Sequence, residues 1–161
     1  MDITIRRMGA EDLDGAARVH GLAFVRQRDS RAWIECNFRA HPRMQYFVAE
    51  ADGRVVGYIH WTQKSGFRPE VVLELEQLAV DPACQGRGIG RRLIETSLPA
   101  VKAQLAERGA RLKHILVTTR ADNHAQKLYR DTLGAEVVAA IPDLFSGDEV
   151  YMVARNVGES K

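Results

Sequence analysis

Cysteine is scarce in this sequence, and long hydrophobic runs are missing. Cys36 and Cys84 are its two cysteines, too few for a disulfide framework and too far apart for a CxxC motif, which fits a reducing compartment. The longest apolar run, residues 137–141, is far shorter than the roughly 20 residues that cross a bilayer. Residues 1–6 lack the apolar core of a secretion signal. We therefore expect a soluble cytoplasmic protein.

Neither sign of charge dominates. Of 161 residues, 23 are Lys or Arg and 21 are Asp or Glu, and both signs are scattered along the chain. This balance gives no case for a nucleic-acid or other polyanionic partner. The length and the 45% hydrophobic content predict a single globular domain over residues 1–161, with 155–161 as a flexible tail. The histidines lack metal-ligand spacing, so no metal site is predicted.

Hydrophobic periodicity predicts a mixed α/β fold. Strands are expected around residues 3–5 and at 45–50, 54–61, 71–80, 112–119, 135–140 and 150–154. Helices are expected at 13–24, 88–109 and 124–133. A further short helix is expected around Trp33, Ile34 and Phe38, with Asp29 or Ser30 as its N-cap and an end before Pro42. Asp52 and Gly53 predict a type I′ hairpin turn, and Gly134 should end the last helix. Pro99 should kink the third helix or begin a second segment, and a break is expected near Ser97.

The most informative segment is 78–90, where a predicted strand enters a turn with three alternating glycines, Gly86, Gly88 and Gly90, that opens a helix. Such a turn directs several backbone N–H groups into one concavity, and the helix N-terminus adds positive potential. A pyrophosphate fits this description. The alternative is a tight connection without a ligand, with the neighbouring arginines simply solvated. The spacing matches neither the dinucleotide fingerprint nor the P-loop.

Gln85, Gly88 and Gly90 satisfy the pattern Q/R-x-x-G-x-G/A, and the segment resembles the GCN5-related N-acetyltransferase superfamily. The resemblance implies a central, mostly antiparallel sheet with splayed middle strands and flanking helices, and a loop that holds the pyrophosphate of acetyl-CoA. It also implies that main-chain groups near Val80 pair with pantetheine and polarise the thioester carbonyl. The cofactor-binding residues implied in this region are Leu78, Ala79, Val80, Gln85, Gly86, Arg87, Gly88, Ile89, Gly90 and Arg91.

A second segment, 122–129, resembles the N-x-x-A-x-x-L-Y stretch of the same family. Asn123 stands one place later than the usual asparagine, and it is either a pantetheine contact or the N-cap of the following helix. The resemblance also implies that Tyr129 protonates the departing thiolate of CoA and contacts the cofactor. The alternative for this tyrosine is a half-buried helix aromatic. Asp122 and Ala135 depart from the family pattern.

Acetyl transfer to an amine also needs a base, because an alkylammonium is mostly protonated at neutral pH. Strand alternation places Glu74, Glu76, Leu78 and Val80 on one face of the 71–80 strand. Glu74 or Glu76 is the expected base, acting through water, and two buried like charges would raise an apparent pKa. The alternative is an exposed charged stripe. The sequence does not choose between the two glutamates.

The acceptor site would draw on the first half of the chain. The residues able to shape it are Phe24, Trp33, Phe38, Tyr58, His60 and Trp61, most of which are expected to be ordinary core. His60 is either a base or substrate contact, or a structural histidine.

The resulting interpretation is an acetyl-CoA-dependent N-acetyltransferase that acts on a primary amine of a small molecule or peptide terminus through a ternary complex. Alternatives are a non-catalytic acyl-CoA-binding regulatory module and a transferase for a longer acyl group. A ping-pong route through Cys84 is a minor option. The resemblance allows a homodimer, although no residue identifies an interface.

Overall fold

The computed structural model describes residues 1–158. Its strands are β1 (Thr4–Arg7), β2 (Met44–Ala51), β3 (Arg54–Gln63), β4 (Glu70–Val80), β5 (Arg111–Arg120), β6 (Glu136–Ile141) and β7 (Glu149–Ala154). Its helices are α1 (Leu13–Ala23), α2 (Ser30–Phe38), α3 (Ile89–Glu107) and α4 (Ala125–Leu133). The strands form one sheet in the order β1-β2-β3-β4-β5-β7-β6. The mixed α/β prediction is confirmed.

The chain divides into two compact units, Met1–Trp61 with Gln77–Ala100 and Thr62–Glu76 with Val101–Lys161. In the first, β1 pairs antiparallel with β2. The predicted hairpin turn is confirmed, because Asp52 and Gly53 have φ values of 51° and 73°, as a type I′ turn requires. The core of this unit contains Ala16, Val19, Ile34, Tyr46, Val48 and Tyr58.

In the second unit β5 is the central strand. Residues 70–74 of β4 pair with it in parallel, from Glu70↔Arg111 to Glu74↔Leu116, and β4 continues beyond that last registered pair. On its other side β5 pairs antiparallel with β7, which pairs antiparallel with β6. The predicted end of α4 is confirmed, since Gly134 is left-handed at φ 72°.

The predicted break in the third helix is wrong. α3 runs from Ile89 to Glu107 with Pro99 inside it. Proline costs an interior helix about 3 kcal/mol. Leu93, Ile94, Val101 and Leu105 are all buried on the two sides of Pro99, and each buried side chain of this kind contributes roughly 1.5 to 3 kcal/mol. Burial therefore outweighs the local penalty.

The chain beyond β7 is bonded to β5 as far as it is described. The Asn156 N–H donates to His114 Nδ1 at 3.0 Å, and the Val157 N–H donates to the Lys113 carbonyl at 3.0 Å. The remainder of the predicted tail, residues 159–161, lies outside the described residues. Across residues 1–158, no helix combines the length and apolarity needed to span a bilayer.

Candidate active site

Asp81 positions the chain where β4 gives way to the glycine turn. Its Oδ1 accepts the Ala83 N–H at 2.9 Å, and its Oδ2 pairs with Arg18 Nη1 at 2.9 Å. Arg18 also donates through Nη2 to the Val55 carbonyl at 2.8 Å. The Ala83 N–H, followed by the Arg18 guanidinium, lowers the pKa of the Asp81 carboxyl. This ionised cap holds the entrance to the turn in a single geometry.

The glycine turn itself is open. Gly86 and Gly88 have φ values of 78° and 74°, and a Cβ on either would meet nothing within 4 Å. Within residues 1–158, the backbone N–H groups of residues 85–90 have no hydrogen-bond acceptor. The first bond into α3 runs from the Arg92 N–H to the Gly88 carbonyl at 3.1 Å. An exposed cradle of free amides at the start of a 19-residue helix fits an anionic diphosphate.

The arginines beside this turn differ in their contacts. Arg87 is exposed. Arg91 Nη1 pairs with Glu95 at 3.2 Å, and Arg92 Nη2 donates to the Ile3 carbonyl at 2.7 Å. Arg92 is therefore used within the protein, and Arg87 is the arginine most open to an external anion.

A close backbone approach at Gly57 supports β4 just before the turn. A Cβ at Gly57 would lie 3.0 Å from the Ala79 carbonyl, and the Asp81 N–H donates to the Val56 carbonyl at 2.8 Å. A side chain at this point would crowd the Ala79 carbonyl, which would have to move by a few tenths of an ångström. The sequence interpretation missed Gly57, although a glycine inside a predicted strand is the signal that could have found it.

The predicted alternation along β4 is observed. Residues 70–80 alternate between buried and half-exposed, with Glu74, Glu76, Leu78 and Val80 on the half-exposed face and Ala79 buried. Lys64 Nζ lies 3.6 Å from Glu74 Oε1. Two carboxylates and one ammonium thus share this face.

The two glutamates are not equivalent. Burial, followed by a hydrogen bond and charge repulsion from Glu74, raises the pKa of Glu76 to about 7. Lys64 and a hydrogen bond from Thr62 act in the opposite direction but are weaker. Because the two carboxyl groups share a hydrogen bond, the pair holds a proton that leaves near neutral pH. Glu76 is therefore suited to accept and release a proton under physiological conditions.

Tyr129 lies on α4 and is 6% exposed. Burial raises the pKa of its phenol to about 12, so the hydroxyl keeps its proton throughout the neutral range. No residue within 1–158 forms a hydrogen bond with this hydroxyl. The phenol can therefore donate to a ligand without first breaking an internal bond.

Asn123 has the contact expected of a helix cap. Its Oδ1 accepts the Ala125 N–H at 2.8 Å, and its carbonyl accepts the Gln126 N–H at 3.4 Å. The N-cap of α4 is His124, so the predicted N-cap lies one residue too early, although Asn123 Oδ1 does bond to the first residue of the helix. The pantetheine contact at Asn123 stays a prediction.

The aromatic residues expected near an acceptor are mostly core. Tyr58, His60 and Trp61 are fully buried. Burial lowers the pKa of His60 to about 3, and its ring stacks on Tyr46 at 4.2 Å between centroids, so His60 is a neutral core residue. Trp61 Nε1 donates to Ser97 Oγ at 2.9 Å.

Gln77 organises two of the other aromatics. Its buried Oε1 accepts from Tyr58 Oη at 2.8 Å and from Trp33 Nε1 at 3.0 Å. Its Nε2 donates to Gln27 Oε1 at 3.3 Å. No local sequence signal marks Gln77, because its partners are distant in the chain.

The first unit also contains a cavity of about 240 Å³. It is lined by Arg7, Met8, Phe38, His41, Met44 and Tyr46. Of the aromatics predicted to shape an acceptor site, only Phe38 lines it. Among the described residues, no group of three or more His, Cys, Asp or Glu side chains could hold a metal ion.

Comparison with known proteins agrees with these features. The family model described as the acetyltransferase (GNAT) family matches residues 14–135. The mycothiol acetyltransferase of Acidothermus cellulolyticus is 32% identical over 156 residues, which cover 83% of this chain and 44% of that protein. The N-alpha-acetyltransferase RimI of Mycobacterium tuberculosis is 27% identical over 98% of this chain and 94% of its own length. The chain spans less than half the length of the mycothiol acetyltransferases it matches.

Solved structures show the same fold. The ribosomal-protein-S18-alanine N-acetyltransferase of Escherichia coli superposes with a TM-score of 0.75 at 18% identity, covering 99% of this chain and 97% of that one. A putative acetyltransferase from Salmonella typhimurium, solved with acetyl-CoA, gives 0.70 at 24% identity over 100% and 97%. The match over residues 14–135 shows that this chain belongs to the GNAT family of acetyltransferases, whose cosubstrate is acetyl-CoA.

Proposed function

We propose that this protein transfers the acetyl group of acetyl-CoA directly to a primary amine of a small molecule or peptide terminus, within a ternary complex. The observation that carries the proposal is the set of free backbone N–H groups at residues 85–90, in a turn with space around Gly86 and Gly88. These amides and the N-terminus of α3 would bind the diphosphate. Arg87 would add a charged contact.

The strand that enters the turn would bind the rest of the cosubstrate. Main-chain groups of Leu78 and Val80 would pair with pantetheine, and an N–H near Val80 would stabilise negative charge on the thioester oxygen. Ala79, between them, has its side chain on the buried face of β4, and its main-chain groups stay part of the predicted cofactor contact. The family resemblance motivates these assignments, and the half-exposed positions of Leu78 and Val80 support them.

Glu76 is the proposed base. It accepts a proton from the ammonium group through water, and the neutral amine nitrogen then forms a bond to the thioester carbon as the C–S bond breaks. Its pKa of about 7 leaves a useful fraction ionised at neutral pH while keeping it basic enough to take the proton. Glu74, held beside Lys64, tunes that pKa.

Tyr129 is the proposed donor to the departing sulfur. A thiol has a pKa near 8.5, whereas the phenol of Tyr129 has a pKa of about 12. Complete proton transfer from the phenol is therefore uphill, and a hydrogen bond to the developing thiolate is the main stabilisation expected. The ammonium loses two protons: one leaves through Glu76 before the attack, and the other leaves the nitrogen as the C–S bond breaks and balances the proton that the CoA sulfur takes up, so the products are an amide, CoA thiol and one released proton.

The test compares the binding of acetyl-CoA with that of acetylpantetheine, which lacks the diphosphate, by calorimetry. Gly88→Ala should weaken acetyl-CoA binding at least tenfold, because the strained backbone disorders the cradle, and should leave acetylpantetheine binding almost unchanged. Gly109→Ala is the matched control, since Gly109 has φ 69° and equally open surroundings after the C-terminal end of α3, whereas the glycine turn precedes its N-terminal end. The proposed cradle would be contradicted if Gly88→Ala weakened the binding of both ligands equally, or if it left the binding of acetyl-CoA unchanged.

Catalysis is tested separately by following CoA thiol release with a panel of amines. Thiol release that depends on the amine, with acetylated product seen by mass spectrometry, is the expected result. Tight acetyl-CoA binding without transfer to any amine would indicate an acyl-CoA-binding module. Replacing acetyl-CoA by propionyl-CoA and longer acyl-CoA compounds in the same assay tests whether a longer acyl group is preferred.

A further inference from the structure

Arg18 connects three segments of the first unit that are distant in the chain. It lies on α1, and its Nη1 pairs with Asp81 Oδ2 at 2.9 Å, where β4 has just ended. Its Nη2 donates to the Val55 carbonyl on β3 at 2.8 Å. These two partners are 63 and 37 positions away from Arg18 in the chain. The guanidinium therefore links the end of β4 to both α1 and β3.

The packing of α1 brings Arg18 to this place. A Cβ at Gly15, about one turn before Arg18, would lie 3.0 Å from the Val55 Cβ, so α1 lies close against β3. Ala16 and Val19 on the same helix are fully buried in the core of this unit. The backbone from which the Arg18 side chain reaches Asp81 is therefore fixed by packing.

Asp81 passes this constraint on to the glycine turn. Its Oδ1 accepts the Ala83 N–H at 2.9 Å, and its carbonyl accepts the Cys84 N–H at 2.8 Å. These bonds form a single turn of 3-10 helix over Pro82–Cys84. The free amides of residues 85–90 begin with the next residue. A displacement of Asp81 would therefore displace the cradle itself.

Asp81 also places a negative charge beside a site proposed to bind an anion. Without a counter-charge, this carboxylate would repel a diphosphate. The Asp81 side chain is 9% exposed and the Arg18 side chain 31%, so solvent and salt screen the pair less than they screen a fully exposed pair. The charge of Arg54 also acts on Asp81, but more weakly than that of Arg18. Arg18 is therefore the main counter-charge of Asp81.

We propose that Arg18 is a positioning residue for the diphosphate of acetyl-CoA: it holds Asp81 in place and cancels its charge, so that the free amides of residues 85–90 bind the anion. In this role Arg18 acts through Asp81 and not through a contact of its own with the cosubstrate. The inference rests on the cradle proposed above, and it assigns a function to an arginine far from the glycine turn in the sequence.

The first experiment measures the binding of acetyl-CoA and of acetylpantetheine by calorimetry. Arg18→Met should weaken acetyl-CoA binding about tenfold and leave acetylpantetheine binding almost unchanged, because only the diphosphate uses the cradle. In steady-state kinetics the KM for acetyl-CoA should rise while kcat stays the same. Arg26→Met is the matched control, because it removes the same charge from an exposed position just beyond α1, and it should bind both ligands as the wild type does.

A second substitution separates this role from a purely structural one. Asp81→Asn removes the charge and keeps a side-chain oxygen for the Ala83 N–H. Arg18→Met combined with Asp81→Asn should bind acetyl-CoA about threefold or more tightly than Arg18→Met alone, because the uncancelled carboxylate is gone. A direct contact between Arg18 and the diphosphate predicts no such recovery, and neither does a general loss of stability.

Arg18→Lys provides the conservative comparison. It keeps the positive charge, but an ammonium group cannot reproduce the planar fork that reaches both Asp81 and the Val55 carbonyl. Acetyl-CoA binding should therefore be intermediate between that of the wild type and that of Arg18→Met. This comparison with the wild type remains available if Arg18→Met does not fold.

Four results would overturn the inference. They are wild-type affinity for acetyl-CoA in folded Arg18→Met, or in Arg18→Lys if Arg18→Met does not fold; an equal loss of acetylpantetheine binding; the same loss in Arg26→Met; and no recovery when Asp81→Asn is added. Failure of the cradle itself gives a different result, because Gly88→Ala then binds acetyl-CoA as the wild type does and both proposals fall. A loss in Gly88→Ala without a loss in Arg18→Met removes only the role of Arg18.

Discussion

The pH dependence of acetyl transfer tests the glutamate pair of β4. Burial and the Glu74 carboxylate raise the pKa of Glu76 to about 7. The ionised fraction of a group with this pKa rises from about 9% at pH 6 to about 91% at pH 8. We therefore expect the transfer rate at saturating acetyl-CoA to rise about tenfold over that interval, since only ionised Glu76 accepts the proton.

Substitutions around Glu76 should shift the pH at which the transfer rate rises, some to lower pH and some to higher pH. Glu74→Gln removes the like charge, so the pKa of Glu76 falls and the rate rises at lower pH. Lys64→Met removes the cation that favours ionised Glu76, so the rise moves to higher pH. Glu76→Gln should lower the rate by about 10² to 10⁴ and abolish the rise, because a general base contributes on that scale.

Stopped assays of thiol release from pH 5.5 to 9 would measure these profiles. Every variant is assayed with the same acceptor, so that titration of the amine itself contributes equally to each curve. A large loss in Glu74→Gln with activity kept in Glu76→Gln would make Glu74 the base. If Glu74→Gln and Glu76→Gln both kept the wild-type pH profile of thiol release, the conclusion that these two glutamates accept the proton would be refuted.

Two further outcomes are expected. Tyr129→Phe should lower kcat about 100-fold with little change in the KM for acetyl-CoA, because the phenol acts on the departing sulfur; steady-state kinetics that leave kcat unchanged would remove that role. Asp81→Ala should lower the free energy of unfolding by about 1 kcal/mol through loss of the cap. Because the pKa of Asp81 is lowered, its contribution is present above its ordinary value of 3.8 and is lost as pH falls through the lower folded value. Urea unfolding of the two proteins should therefore converge toward pH 2, and a constant gap would contradict this.

Sequence patterns predicted the backbone correctly where neighbouring residues alone determine its conformation. Asp52 and Gly53 accept the positive φ of a tight hairpin, and Gly134 accepts the left-handed conformation that ends α4. The rule that proline breaks helices failed at Pro99, because buried side chains on both sides of it hold α3 together. Propensity is a small energy, and tertiary burial overrides it.

The same division holds for the candidate site. Alternation along β4 placed Glu74 and Glu76 on one face, since the period of a strand is two wherever it lies. The pKa of Glu76 near neutral pH depends on how deeply its carboxyl is buried and on its hydrogen bond with Glu74, which alternation does not encode.

The sequence by itself determined the mixed fold, the glycine turn and the family resemblance, because each is written in residues close together in the chain. Only the tertiary structure decided the role of Gln77, the burial of His60 and the pairing of Arg18 with Asp81. Arg18 and Asp81 are 63 positions apart in the chain, and they meet only because α1 packs against β3 at Val55 while Asp81 bonds to the Val56 carbonyl. Contacts between distant segments are chosen by the packing of helices and strands around a shared core, so no local pattern reveals them.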